Sequence, residues 1–140
     1  MQDPKPYVLL IDDDEDDVEM FSSRLRLKGV EVKTFVSSTN ALFYLRLMAD
    51  TKEFPSLIIM DYSMPIKNGH ETLLSIKSNT DTRHIQVVMY STSMDEPLKG
   101  ELLRAGALDC FSKPWTYQEL TKQVEIIEEL TYSFISKKTA

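Results

Sequence analysis

Residues 57–60 (LIIM) are four apolar residues in a row, and the run stops abruptly at Asp61. A strand with one face in water alternates polar and apolar positions. A short run that is apolar at every position belongs to a strand covered on both faces, as in a parallel sheet sandwiched between helices. Pro65 and Gly69 then force a loop before the next helix. In open α/β sheets, ligands and chemistry gather beyond the carboxyl ends of the strands. Asp61 stands at such an end, so the question is what arrives beside it.

The rest of the chain fits the same plan. Residues 7–11 form a short apolar strand that ends in the acidic run 12–17 (DDDEDD). Val18, Phe21 and Leu25 recur at helical spacing and are closed by Lys28 and Gly29, a basic last turn and a C-terminal glycine. Residues 30–36 (VEVKTFV) alternate as a strand near a sheet edge does. Ser38 or Thr39 caps a second helix whose apolar face includes Leu42, Leu45 and Met48. Asn68 or Gly69 opens a third helix, reaching about Ser78, with Leu73, Leu74 and Ile76 facing inward.

Residues 85–90 are another apolar strand, ending in Ser91, Thr92 and Ser93. A short helix over 96–105 carries Leu98, Leu102 and Leu103 and stops at Gly106. Residues 110–112 make a brief strand running into Lys113 and Pro114. A long last helix follows from about Thr116, with Leu120, Val124, Ile127, Leu130 and Phe134 on one stripe. Five strands alternating with five helices predict an α/β fold with a five-stranded parallel sheet and right-handed crossovers. The expected division is a loose lead over 1–6, one domain over 7–137 with an extended final helix, and a tail over 138–140.

A length of 140 residues suffices for one domain with a real core. A net charge of −6 argues against a nucleic-acid-binding surface, which needs clustered Lys and Arg. No apolar run reaches membrane-spanning length, and the N-terminus has no signal pattern. Cys110 is the sole cysteine, which excludes an internal disulfide and fits a reducing compartment; a cytoplasmic protein is expected. His70 and His84 have no second nitrogen ligand nearby in sequence and read as surface residues.

The residue types at four strand ends carry the chemistry: Asp12 and Asp13, then Asp61, then Ser91, then Lys113. In a parallel sheet these ends share one edge. Two unit charges 4 Å apart interact by roughly 4 kcal/mol at an effective dielectric of about 20, so clustered carboxylates must hold protons or a cation. Hard oxygen ligands suit Mg²⁺ or Mn²⁺ better than Zn²⁺. A lysine and a hydroxyl opposite them complete an arrangement fitted to a phosphoryl group, and aspartate can accept one as an acyl phosphate. Taken singly, each residue has an ordinary explanation. The acidic run supplies favourable macrodipole charge and capping, and its outer members, Asp16 and Asp17, are assigned nothing more. Asp61 alone could form a turn, Ser91 a loop hydroxyl, and Lys113 a solvated surface residue.

The segments VLLIDDDEDD (8–17), LIIMDYSMPIKNG (57–69), VVMYSTS (87–93) and GALDCFSKPW (106–115) together resemble the receiver domain of two-component response regulators. The resemblance covers nearly the whole chain. It implies a flavodoxin-like (βα)5 three-layer sandwich with strand order 2-1-3-4-5, an order that patterning alone does not give. It implies phosphorylation at Asp61, with Asp13 as a direct metal ligand, Asp12 acting through a bound water, and the Ser63 backbone carbonyl as a further ligand for Mg²⁺ or Mn²⁺. Ser91 takes the place of the switch hydroxyl, Lys113 that of the phosphate-pairing lysine, and Ser63 and Ser93 flank the site where they tune dephosphorylation. It also implies a cis Lys113–Pro114 bond. One departure stands out: receivers commonly carry an aromatic ring where this chain has Cys110, a small residue read as buried rather than redox-active.

The implied partners are a histidine kinase or histidine phosphotransfer protein and an unnamed downstream protein. A homodimer through the last β/α units or the extended final helix is a further expectation. With the final helix closing the domain, a stand-alone receiver is expected, passing its signal by contact and acting as a switch or phosphorelay intermediate. It is not expected to be an enzyme beyond its own Mg²⁺-dependent phosphorylation and dephosphorylation. Two other readings compete. A phosphatase or phosphotransferase using an aspartyl phosphate typically has a second carboxylate two residues after the nucleophile, where this chain has Ser63. A module that has lost phosphorylation would have no need of Asp12, Asp13, Asp61, Ser91 and Lys113 together.

Overall fold

The computed structural model describes residues 5–139, with side chains as far as residue 133. Ten elements alternate: β1 (Tyr7–Ile11), α1 (Glu15–Leu27), β2 (Glu31–Phe35), α2 (Ser38–Thr51), β3 (Leu57–Asp61), α3 (Gly69–Ser78), β4 (Gln86–Ser91), α4 (Glu96–Arg104), β5 (Asp109–Ser112) and α5 (Tyr117–Thr139). The sheet is wholly parallel, in the order β2-β1-β3-β4-β5. The most apolar strands are the inner ones. Every residue of β3 is buried, whereas β2, the edge strand that alternates in sequence, keeps Glu31 and Lys33 in solvent.

Successive side chains of a strand point to opposite faces, so each strand feeds two cores. Leu9, Ile11, Ile58, Met60, Val87 and Met89 pack with α2, α3 and α4. Val8, Leu10, Leu57, Ile59, Val88 and Tyr90 pack with Phe21 and Leu25 of α1 and with Leu120, Val124 and Ile127 of α5. The fold is therefore the three-layer sandwich expected of the flavodoxin-like class.

Local chemistry sets the helix ends. Asp14 caps α1 by accepting from the N–H groups of Asp16 and Asp17, and Gly29 takes a positive φ of 81° past its end. Ser37 caps α2, one residue earlier than the sequence suggests, because its hydroxyl reaches the Asn40 N–H. Asn68 and Glu71 form a reciprocal capping box on α3. Leu74 does not face inward with Leu73 and Ile76; it is 48% exposed, since the residue one step on turns about 100° away and Thr72 takes the buried position. On α5 the buried face continues from Ile127 to Thr131, whose hydroxyl donates to the Ile127 carbonyl. Phe134, read on the same stripe, lies beyond the described side chains.

The Lys113–Pro114 bond is trans, contrary to the expectation of a cis bond; no cis peptide occurs among the described residues. The trans isomer is favoured by about 0.5–1 kcal/mol unless tertiary contacts oppose it, and here the trans loop already lets the Lys113 N–H reach the Ser91 carbonyl at 2.8 Å.

Gly69 lets α3 start directly against the end of β3. Its N–H donates to the Tyr62 carbonyl at 2.9 Å. A Cβ there would fall on the Asp61 carbonyl oxygen and lie 2.7 Å from Tyr62 Cα and 2.8 Å from Met89 Cε. Two of those neighbours are backbone and cannot rotate away. Gly69→Ala is therefore expected to destabilise the domain by about 1–3 kcal/mol, read by thermal or urea unfolding. Unchanged stability would mean that the helix can shift without disturbing β3.

Candidate functional site

The strand parity that builds the two cores also aims the site. Asp12 follows Val8 and Leu10, Asp61 follows Leu57 and Ile59, Tyr90 follows Val88, and Lys113 follows Phe111. All four project from the carboxyl edge of the sheet on the α1/α5 side. The ladder extends one residue past β1 and β5, with the Asp12 N–H bonded to the Phe35 carbonyl and the Lys113 N–H to the Ser91 carbonyl. Both side chains are thus held by the sheet rather than by free loops.

Asp12, Asp13 and Asp61 each present a carboxylate oxygen, and these atoms lie within 4.8 Å of one another. Asp12 and Asp61 are buried while Asp13 is open to solvent. Lys113 Nζ stands 3.4 Å from Asp12 Oδ2, 3.6 Å from Asp61 Oδ1 and 2.7 Å from Asp17 Oδ2. Three carboxylates thus surround one ammonium, and Asp13 adds a fourth negative charge beside Asp12 and Asp61. The excess negative charge and the all-oxygen donor set fit a divalent ion of the Mg²⁺ or Mn²⁺ type, with Asp13 giving it access from solvent.

The predicted residues Asp12, Asp13, Asp61 and Lys113 come together. Ser91 ends β4 and is buried; it has the opposite strand parity, and its carbonyl is tied to Lys113. The Ser63 N–H donates to Asp61 Oδ1 at 3.2 Å, while the Ser63 and Ser93 side chains are exposed. Cys110 lies opposite Met89 in the core shared with α2, α3 and α4. Burial, with a smaller contribution from Asp109, pushes its thiol up to about 11, so it is not a thiolate at neutral pH.

Two residues of the pocket escaped the sequence reading. Asp17 does more than favour the helix dipole: it makes the shortest of the three contacts to Lys113. One turn after Asp13, it leans back over the strand end, a position that i, i+4 spacing reveals. Tyr90 reads as one more apolar strand residue, yet its hydroxyl donates a short hydrogen bond to Asp12 Oδ2. Its parity with Asp61 was the available signal.

Burial is the largest cause that raises Asp61, and the field of Asp12 is next. The Lys113 charge and the Ser63 N–H oppose them, and the carboxyl still ends at about 7. For Lys113, burial works against the charge, but the Asp17 hydrogen bond and the fields of Asp12 and Asp61 outweigh it and hold the ammonium above the ordinary lysine value.

A family model described as the response regulator receiver domain matches residues 8–125. The transcriptional regulatory protein PrrA of Mycobacterium tuberculosis is 31% identical over 122 residues, which are 87% of this chain and 49% of that protein. The two-component response regulator ARR15 of Arabidopsis thaliana is 32% identical over 130 residues, covering 89% of this chain and 63% of the plant protein. The chain therefore spans about half the length of the mycobacterial relative. Among solved structures, the phosphorylated cyanobacterial phytochrome response regulator RcpA superposes with a TM-score of 0.80 at 28% identity, covering 92% of this chain and 95% of its own. The Mn²⁺-bound form of response regulator Rcp1 gives a TM-score of 0.74 at 27% identity, covering 88% and 92%.

A group that binds its proton more tightly folded than unfolded adds stability at low pH and loses it as pH rises to the folded value. For Asp61 that window runs from about 4 to about 7. In metal-free protein at pH 8, Asp61→Asn is therefore expected to stabilise by about 1 kcal/mol or more, roughly 3–5 °C in melting temperature. The gain should shrink as pH falls toward 4. Equal melting temperatures at pH 8 would show that the Asp61 charge is better compensated than its surroundings suggest.

Proposed function

The chain belongs to the response regulator receiver domain family, and from that membership we propose that it is a phosphorylation-dependent switch whose acceptor is Asp61. The observation that carries this reading is the convergence of Asp12, Asp13 and Asp61 with Lys113 at one strand edge. Asp12, Asp13 and Asp61 would hold Mg²⁺ or Mn²⁺, with the Ser63 carbonyl as a further ligand. The bound ion would supply neutralising charge for an incoming phosphoryl group.

An Asp61 carboxylate oxygen attacks phosphorus while the bond from phosphorus to the donor breaks. The donor is a histidine kinase or histidine phosphotransfer protein, and the departing imidazole nitrogen keeps the electron pair. Lys113 leaves its shared place among the carboxylates to pair with a phosphoryl oxygen, and the Ser91 hydroxyl donates to another. Because the Lys113 N–H is bonded to the Ser91 carbonyl, the two ends of β4 and β5 move as one unit. The change biases two conformations of the protein, in line with a switch rather than an enzyme acting on external substrates. No helix among the described residues is long and apolar enough to cross a membrane, which accords with the proposed cytoplasmic setting.

Incubation with Mg²⁺ and acetyl phosphate is expected to give one phosphoryl adduct by intact mass, absent in Asp61→Asn. No adduct on the wild-type chain, or an adduct that survives the substitution, would overturn the reading. Steady release of phosphate from diverse esters would point to a phosphatase instead. The exposed Ser63 and Ser93 side chains flank the approach of water to the phosphoaspartate. Replacing both with larger polar residues is expected to change its lifetime severalfold, read by the decay of the adduct; an unchanged lifetime would remove them from that role.

A further inference from the structure

Tyr90 brings an aromatic ring into the acid pocket, against Asp12 and Lys113. It is 1% exposed, and its ring centroid lies 5.4 Å from that of Phe21. Lys113 Nζ stands 5.2 Å from the ring centroid, and the phenol O–H donates to Asp12 Oδ2. We propose that Tyr90 is a positioning residue for the cation-binding acids, its hydroxyl fixing the Asp12 carboxylate in the orientation a divalent ion requires. The inference rests on the divalent-cation reading of the site given above.

The core around the ring gives no reason for a hydroxyl. The ring packs against Phe21 and belongs to an apolar cluster with Val8, Leu10, Ile59 and Val88, where a phenyl side chain would fill the same place. A phenol buried there must find a partner, because an unpaired buried hydroxyl costs about 1–3 kcal/mol. The partner it finds is a carboxylate that is itself 0% exposed and so has little recourse to water.

Both Asp12 oxygens are occupied. Oδ1 accepts from the Asp14 N–H at 2.9 Å, and Oδ2 accepts from Tyr90 with Lys113 at 3.4 Å. Rotation of the carboxylate would break one bond or the other, so its plane is locked. A ligand group already in place loses no orientational freedom when the ion arrives.

Two opposing effects decide the sign. The phenol draws charge from Asp12 and to that extent weakens its pull on a cation. Without the hydroxyl, however, Oδ2 is free to close on Lys113, and a full positive charge on the same oxygen competes with a divalent ion far more strongly than a neutral donor does. Loss of the hydroxyl should therefore weaken binding. Removing an outer partner of a metal-ligating group typically costs 10–100-fold in metal affinity.

The test is calorimetric titration of the full chain with Mn²⁺ at neutral pH, alongside thermal unfolding of the metal-free protein. Tyr90→Phe is expected to bind at least about tenfold more weakly than wild type. Phe21→Leu, which loosens the packing but leaves the hydroxyl, is expected to melt lower with unchanged Mn²⁺ affinity. Equal or tighter binding by Tyr90→Phe, or an equal loss in Phe21→Leu, overturns the inference while leaving the phosphorylation switch intact. Failure of the wild-type chain to bind Mn²⁺ removes the cation reading and this inference with it. A second measurement stands if Tyr90→Phe does not fold. Proton NMR of the wild type should show a slowly exchanging, downfield phenolic proton that persists at saturating Mg²⁺, and its loss on Mg²⁺ addition overturns the proposal.

Discussion

The single ammonium of Lys113 is what allows this arrangement to exist. Asp12 and Asp61 are withdrawn almost completely from water, and both burial and the field of Asp12 disfavour the charge on Asp61. Lys113 sits between them and is itself braced by Asp17 at 2.7 Å. Removing one member of a buried charge group costs more than the pair contributes, because the remaining charge is left uncompensated. Lys113 is the member whose loss would leave the others uncompensated, whereas neutralising Asp61 relieves its burial and its repulsion with Asp12.

A rigid frame must hold such a group, and the sheet supplies it. Val8, Leu9, Leu10 and Ile11 lead to Asp12 with no exposed surface, and Leu57 to Met60 lead to Asp61 in the same way. The apolar runs that announce the strands also fix where the carboxylates emerge. Gly69 completes the frame by bringing α3 against the Asp61 carbonyl, where any side chain would intrude. Fold and site are thus set by the same residues.

That coupling explains what the sequence made legible. Strand ends and helix caps are local events, so the positions of Asp12, Asp13, Asp61, Ser91 and Lys113 could be read from apolar runs and their sudden stops. Strand order came from likeness to a family, since no local pattern distinguishes β1 in the centre from β1 at an edge. Asp17 and Tyr90 were missed for a different reason. Each was explained too soon by a local role, capping for the first and core filling for the second, although both act across elements. Leu74 failed in the reverse direction: an apolar residue was given to the core that helical geometry turns toward solvent. The Lys113–Pro114 isomer followed neither composition nor pattern and was carried over from the family alone.

Parity of the strands also governs where a change at Asp61 is felt. Tyr90 and Ser91 are neighbours on β4 but face opposite layers, Tyr90 toward α1 and α5 and Ser91 toward the layer of α2, α3 and α4. On the Ser91 side, the β5 residue at the family's usual aromatic position is Cys110, whose small thiol leaves little to displace. On the Tyr90 side stands a full ring, in contact with Phe21 and facing Lys113. Movement of Lys113 toward a phosphoryl oxygen would withdraw a cation from that ring and from Asp12 in one step. The bulky group in direct contact with the charges thus lies in the layer of α1 and α5, not in that of α2, α3 and α4.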